Sequence, residues 1–346
     1  MNSIFTSYKY ELKKLFVLRK GWMIILCLLL AQLAIALFVK PSQEYVFDKK
    51  LYAEYVEVYG GEYSEETAVS INEELQAADK IVNETDLSQI TDVEQIEILS
   101  EQMILASMKR NALSALQSKY TELSKCEEYS PVLTYDLELN EYISRFGFNW
   151  ASIVCMLIII PILMLGDKNC GMEQILFPTS TGRKTIVCAK LLVGSTVSLF
   201  MTAVCSVLQF IIMAIRWDFG ELNVPIQSVS GFGECKINGG VLTCMVICIA
   251  IQILSAASFV MLISILSSVL KKEPAVISAA VIIILIGNFI AEKYPSISMF
   301  FLSSAMSGIC SIKTYSIMHL LILCSFLLFK TIVLSIVARY IACRKM

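Results

Sequence analysis

VLTCMVICIAIQILSAASFVMLISILSSVL, residues 241–270, runs for 30 positions without a charged side chain before Lys271-Lys272 closes it. At about 1.5 Å of rise per residue, such a helix outreaches the roughly 30 Å of hydrocarbon in a bilayer, so it crosses with tilt or projects beyond. Five other stretches have the same character: Trp22–Val39, Phe148–Leu165, Leu191–Ile215, Ala275–Ala291 and Ile317–Ala338. A further apolar patch, 297–310, follows Pro295. It is too short and too dotted with polar residues to span, and fits a re-entrant segment.

The whole chain agrees with these runs. It is 56% hydrophobic and 17% charged, with a mean hydropathy of +0.68. Soluble domains hold roughly 45–50% apolar and about 25% charged residues, so the excess calls for an apolar solvent. The expected fold is an all-α polytopic membrane protein with six transmembrane helices.

Lysine and arginine set the orientation. They gather in the N-terminal segment (Lys9, Lys13, Lys14, Arg19, Lys20) and between the second and third spans (Lys168, Arg183, Lys184, Lys190). They recur after the fourth span (Lys271, Lys272) and in the tail (Arg339, Arg344, Lys345), opposed only by Glu11, Asp167, Glu173 and Glu273. These segments are expected to be cytoplasmic. Both termini then lie on the cytoplasmic side of the membrane, which requires an even number of spans. Ala34-Ile35-Ala36 offers a signal-cleavage pattern, but the apolar run before it exceeds an ordinary signal core, so the first span is read as uncleaved.

Residues 1–21 place Ile4, Tyr8, Leu12 and Leu15 on one helical face with Lys9, Lys13 and Lys20 off it. That pattern suits an amphipathic helix on the inner leaflet, in contact with lipid, or a plain extension of the first span. Residues 40–147 hold about 22 of the 30 acidic side chains and are read as a large helical extracytoplasmic domain between the first and second spans. Ala68, Ile71, Leu75, Ala78 and Val82 recur at 3-4 spacing, as do Ile96, Leu99, Met103 and Ala106, continued by Leu113 and Tyr120. Thr91-Asp92-Val93-Glu94 reads as a capping box opening the second of these helices. Two narrow stripes predict an antiparallel hairpin or, alternatively, helices docked on other parts of the domain. Residues 148–346 make up the remaining five spans.

The chemistry is sparse. The apolar cores of the six spans contain neither Asp nor Glu, which argues against an ion-coupled carrier. Lys330 is the one charge inside a span; it lines a pathway, or it snorkels to headgroups or pairs with a carbonyl. The single histidine, His319, cannot build a triad or metal site alone, and the 12 cysteines show neither CxxC nor metal spacing. Gly182-Arg183-Lys184-Thr185 resembles the end of a phosphate-binding loop, but Phe177 stands where the first glycine is required. No catalytic, metal or cofactor site is expected in this chain.

Two cytoplasmic stretches resemble the ABC-2-type transporter permeases of Gram-positive bacteria. One is Tyr10-Glu11-Leu12-Lys13-Lys14-Leu15-Phe16, ahead of the first span. The other begins Gly166-Asp167-Lys168-Asn169-Cys170-Gly171-Met172-Glu173, continues through Leu176, Pro178-Thr179-Ser180, Gly182 and Arg183, and ends Ala189-Lys190-Leu191-Leu192. Asp167 stands where glutamate is usual in the family, and the domain at 40–147 is larger than in compact exporters. The resemblance implies a permease subunit, not itself an enzyme, paired with a second permease subunit, identical or related. Cytoplasmic ABC ATPase subunits would bind the ATP, and no nucleic acid is involved. It further implies that the loop 166–190, through Asp167, Gly171, Glu173, Arg183 and Lys190, couples the ATPase to the spans. Export of a peptide, antibiotic or lipid-like molecule would follow. A membrane sensor or scaffold, binding a ligand through 40–147, is the alternative from a different class.

Overall fold

The computed structural model describes residues 2–42, 45–84, 93–147, 149–169, 180–217, 219–294, 301, 306 and 316–345. Most of the turn expected after Asn83, the capping-box residues Thr91 and Asp92, and the 297–310 patch except 301 and 306 lie outside the described residues.

Among the described residues, six helices are long and apolar enough to cross a membrane: Gly21–Phe38, Leu137–Asn169, Arg183–Arg216, Val241–Val269, Glu273–Lys293 and Met318–Arg344. This is the architecture of an all-α multi-pass membrane protein. Hydrocarbon offers the backbone no partner, so each apolar run bonds its own amides and becomes helix. The chain forms two compact units.

The first unit comprises Met1–Val39, Ile143–Arg216 and Met245–Met346. It opens with α1 (Asn2–Lys13), a single π-helical turn (Lys14–Leu18) and α2 (Gly21–Phe38). Then come α7 (Trp150–Asn169), α8 (Ser180–Arg216), α9 (Val241–Val269), α10 (Glu273–Lys293) and α11 (Ile317–Lys345). The helix α7 is the most enclosed, whereas α2, α10 and α11 leave most of their length facing outward. Lipid is as apolar as leucine, so close packing rather than water exclusion holds such a bundle. Gly194 shows how: a Cβ there would lie 2.9 Å from Ile160 Cδ1, so any larger residue would make that side chain shift. One cluster joins Met156, Ile160 and Met164 of α7 to Phe259 and Ile263 of α9 and Ala338 of α11. A second joins Leu15 and Ile25 to Cys155, Ile159 and Leu163 of α7 and Val193, Val197 and Met201 of α8.

The second unit comprises Lys40–Tyr142 and Trp217–Cys244. Its helices are α3 (Lys49–Tyr59), α4 (Glu65–Glu84), α5 (Val93–Ser124) and the first part, to Tyr142, of α6 (Leu137–Phe146). Asp48 caps α3, its Oδ1 accepting from the amides of Lys50 (2.8 Å) and Leu51 (3.0 Å). The pairs Asn72–Gln117 and Asp79–Arg110, with Ser64 against Tyr120, show α4 and α5 running antiparallel. Ile71, Leu113, Leu116 and Tyr120 are buried there with Tyr52 and Val56 of α3, so the hairpin and the docking on another segment both occur. Two short strands, β1 (Gly61–Glu62) and β2 (Val132–Leu133), pair antiparallel and close the helical layer.

The sequence reading drew this domain as 40–147; the compact unit also takes in 217–244. That segment is tied in by polar bonds. Asp136 is buried, accepts from Lys119 Nζ at 2.6 Å and receives the Ser230 amide at 2.6 Å. Cys126 donates to the Gly233 carbonyl at 2.7 Å, and the Val132 amide donates to Ser228 Oγ at 2.9 Å. Cys126 and Cys235 are free thiols, and burial raises both pKa values.

Candidate functional site

The chain enters the first span through a sharp corner. After α1 the backbone widens into the π-helical turn, then Lys20 takes a left-handed conformation (φ 52°) and Gly21 starts α2. Single π turns add a residue to a helix and tend to occur at functional positions. The corner leaves Glu11, Lys14 and Leu15 buried while Lys9, Lys13 and Lys20 stay exposed. Ile4, expected on the apolar face, is also exposed. The buried face of α1 packs on α8.

Five charges meet there. Asp167, in the last turn of α7 and 1% exposed, contacts three cations. Lys14 pairs with its Oδ1, Arg19 Nη2 reaches the same atom at 2.7 Å, and Lys190 Nζ lies 2.8 Å from Oδ2. Lys14 also pairs with Glu11 Oε1 at 3.5 Å, while Glu11 Oε2 has no hydrogen-bond partner among the described residues. Burial raises the Glu11 pKa, opposed by the nearby Lys190 and Lys14. Arg19 donates to the Ile162 carbonyl as well, and its guanidinium lies against the bare Cα of Gly166, where any Cβ would collide with it.

Of the residues singled out in the sequence, Asp167 and Lys190 therefore come together as a direct pair. Arg183 lies one turn into α8, part-buried, with Nη1 3.4 Å from the Cys343 carbonyl near the end of α11. Asn169 Nδ2 donates to Glu273 Oε1 at 2.9 Å, joining the end of α7 to the start of α10. Gly171 and Glu173 lie outside the described residues. Lys330 stands apart, half-buried near the middle of α11, with no ion pair or hydrogen bond among the described residues.

Glu11, Lys14 and Arg19 entered the sequence reading only as charges of one sign or the other. A signal existed in part: Tyr8, Glu11, Leu12 and Leu15 share a face at 3-4 spacing, so a charge sits in the apolar stripe. The partner in α7, 148 residues from Arg19, leaves no local trace.

The cluster holds no nucleophile beside a base, and no group of three metal-ligating side chains exists among the described residues. One carboxylate at the end of α7 ties together the π turn, the corner before α2 and the first half of α8. Compared with known proteins, the chain matches no family model, no curated sequence and no solved structure.

Proposed function

We propose that this chain is the membrane-spanning permease subunit of an ATP-driven exporter, energised by a separate ATPase subunit. One observation carries the reading. The segment 170–179 is flanked by Asp167 and Lys190, and these two residues are paired to each other and to the N-terminal corner. A push on that segment reaches α1, α2, α7 and α8 at once, and Asn169 and Arg183 extend the path to α10 and α11. A subunit moved from outside itself needs such a junction. The lysines and arginines of the sequence gather in the segments around this junction, which supports a cytoplasmic placement for it. The residue pattern in 166–192 supports the family assignment.

The alternative, a sensor or scaffold, draws on the second unit. A groove of about 250 Å³ between α4 and α5 is lined by Tyr63, Ile71, Asn72, Gln117, Tyr120 and Ser124. It could receive a ligand without any ATPase. The deciding experiment is purification of the tagged chain from its native membrane, with mass spectrometry and an ATPase assay. The permease reading expects a stoichiometric ATP-binding subunit that is lost on Glu173→Ala with Arg183→Ala. Repeated recovery without an ATPase refutes it and favours the sensor.

A further inference from the structure

A second polar assembly lies inside the first unit, and it carries no charge. Asn149, just before α7, donates to the Thr202 carbonyl at 3.1 Å and to Ser206 Oγ at 2.8 Å. Ser206 donates to Gln252 Oε1 of α9 at 2.6 Å, and Gln252 donates to the Gly147 carbonyl at 2.8 Å. Ser152 and Thr202 share a hydrogen bond at 2.7 Å. One turn beyond Ser206 on α8, Gln209 accepts from Gln32 of α2. All these side chains are buried. On α8 the polar positions 198, 202, 206 and 209 form one stripe. At 1.5 Å per residue it covers about 16 Å, roughly half the apolar thickness of a bilayer.

Hydrogen bonds that merely hold spans together would consume their donors and acceptors. Here four buried atoms have no hydrogen-bond partner among the described residues: Ser198 Oγ, Ser255 Oγ, Gln32 Oε1 and Gln209 Nε2. Ser198 stands one turn from Thr202, and Ser255 one turn from Gln252, so each continues the same seam. The two glutamines, bonded to each other once, leave one acceptor and one donor unpaired. A hydroxyl or an amide offers both complements at once, whereas an ion would meet no opposite charge.

We propose that this seam is a binding path for a neutral hydroxyl- or amide-bearing headgroup on an amphipathic molecule, with the apolar tail left to the lipid. The proposal rests on the permease reading only for the assertion that the molecule is then exported; binding itself needs no ATPase. Its test uses the full chain alone in lipid nanodiscs, carrying Ser198→Cys, and a membrane-impermeant methanethiosulfonate. Modification is followed site by site by peptide mass spectrometry. Cys155 and Cys205, fully buried in the neighbouring apolar cluster, are internal controls.

The thiol at 198 should react about tenfold or more faster than the two controls, although all three positions are buried here, because a path that takes up a headgroup must open to water and so admits reagent and supports the thiolate. N-decanoyl-N-methylglucamide, whose head carries hydroxyls and an amide, should slow that reaction about fivefold or more, and decyltrimethylammonium should not. Ser255→Cys repeats the measurement from α9, so the test survives a misfolded first variant. Rates at both positions no faster than the controls would overturn the proposal, as would equal protection by the ammonium. Failure to recover an ATPase would sink the permease reading without touching this result.

Discussion

Replacing Asp167 by asparagine keeps the side-chain volume and removes one charge from the centre of the ion cluster. In the parent, three cations and one further carboxylate are gathered around Asp167, and Lys14, Lys190 and Glu11 are almost fully buried. In the variant, Glu11 remains as the one counter-charge, facing Lys14 at 3.5 Å. Removing one partner from a buried ion pair costs about 3–5 kcal/mol, because the other is left uncompensated. A unit of this size shifts its melting temperature by about 2–4 °C per kcal/mol, so a fall of about 6–20 °C is expected. The assay is thermal unfolding of the detergent-solubilised chain, read by size-exclusion recovery after heating. Lys190→Met should cost less, since Asp167 keeps Lys14 and Arg19. An Asp167→Asn shift below about 2 °C, or a larger loss from Lys190→Met, would refute the central role given to this carboxylate.

Other outcomes follow from neighbouring contacts. Glu11→Gln should leave stability within about 1 kcal/mol in the same assay, because burial already disfavours its charge and one oxygen is unpaired. A raised pKa in the folded state means that the protonated form is favoured, so stability tied to Glu11 is fullest below pH 4.5 and declines as pH rises through its folded value. Lys119→Met should loosen the second unit by about 3–5 kcal/mol, since Asp136 then keeps the Ser230 amide without a cation. Faster hydrogen exchange across 219–240 checks it. Burial and a hydrogen bond that it donates to the Glu74 carboxylate push the Tyr59 hydroxyl up to about 12. Its contribution is therefore intact below pH 10 and lost as pH climbs toward 12, visible as an ultraviolet difference titration against Tyr59→Phe.

Sequence and structure agree where physics acts locally. A run such as 241–270 has one way to satisfy its backbone in hydrocarbon, and the six expected spans are the six long apolar helices. The stripes at Ile71 and at Leu113 and Tyr120 face a core because 3-4 spacing has one geometric meaning. The association of 217–244 with the second unit was not legible. Its links, such as Asp136 with the Ser230 amide, pair a side chain with irregular backbone 94 residues away. The ion cluster was half legible. Asp167 and Lys190 stood out by their place in a motif, but the π turn that delivers Lys14 and Arg19 to them has no sequence signature.

The two polar assemblies of the first unit divide along a physical line. Charge collects around the end of α7 and Lys190 of α8, and each ion there has a partner within reach. Further along α8 the buried polar side chains are hydroxyls and amides. A paired ion is costly to separate, since either half left in a low-dielectric site loses its compensation. Neutral hydrogen bonds between spans hold by much less and can be exchanged for water or a ligand. Under the permease reading, a stroke delivered at 170–179 should move the ionic end as one piece. The spans would part at the neutral seam, where the bonds between α7, α8 and α9 are the cheapest to exchange.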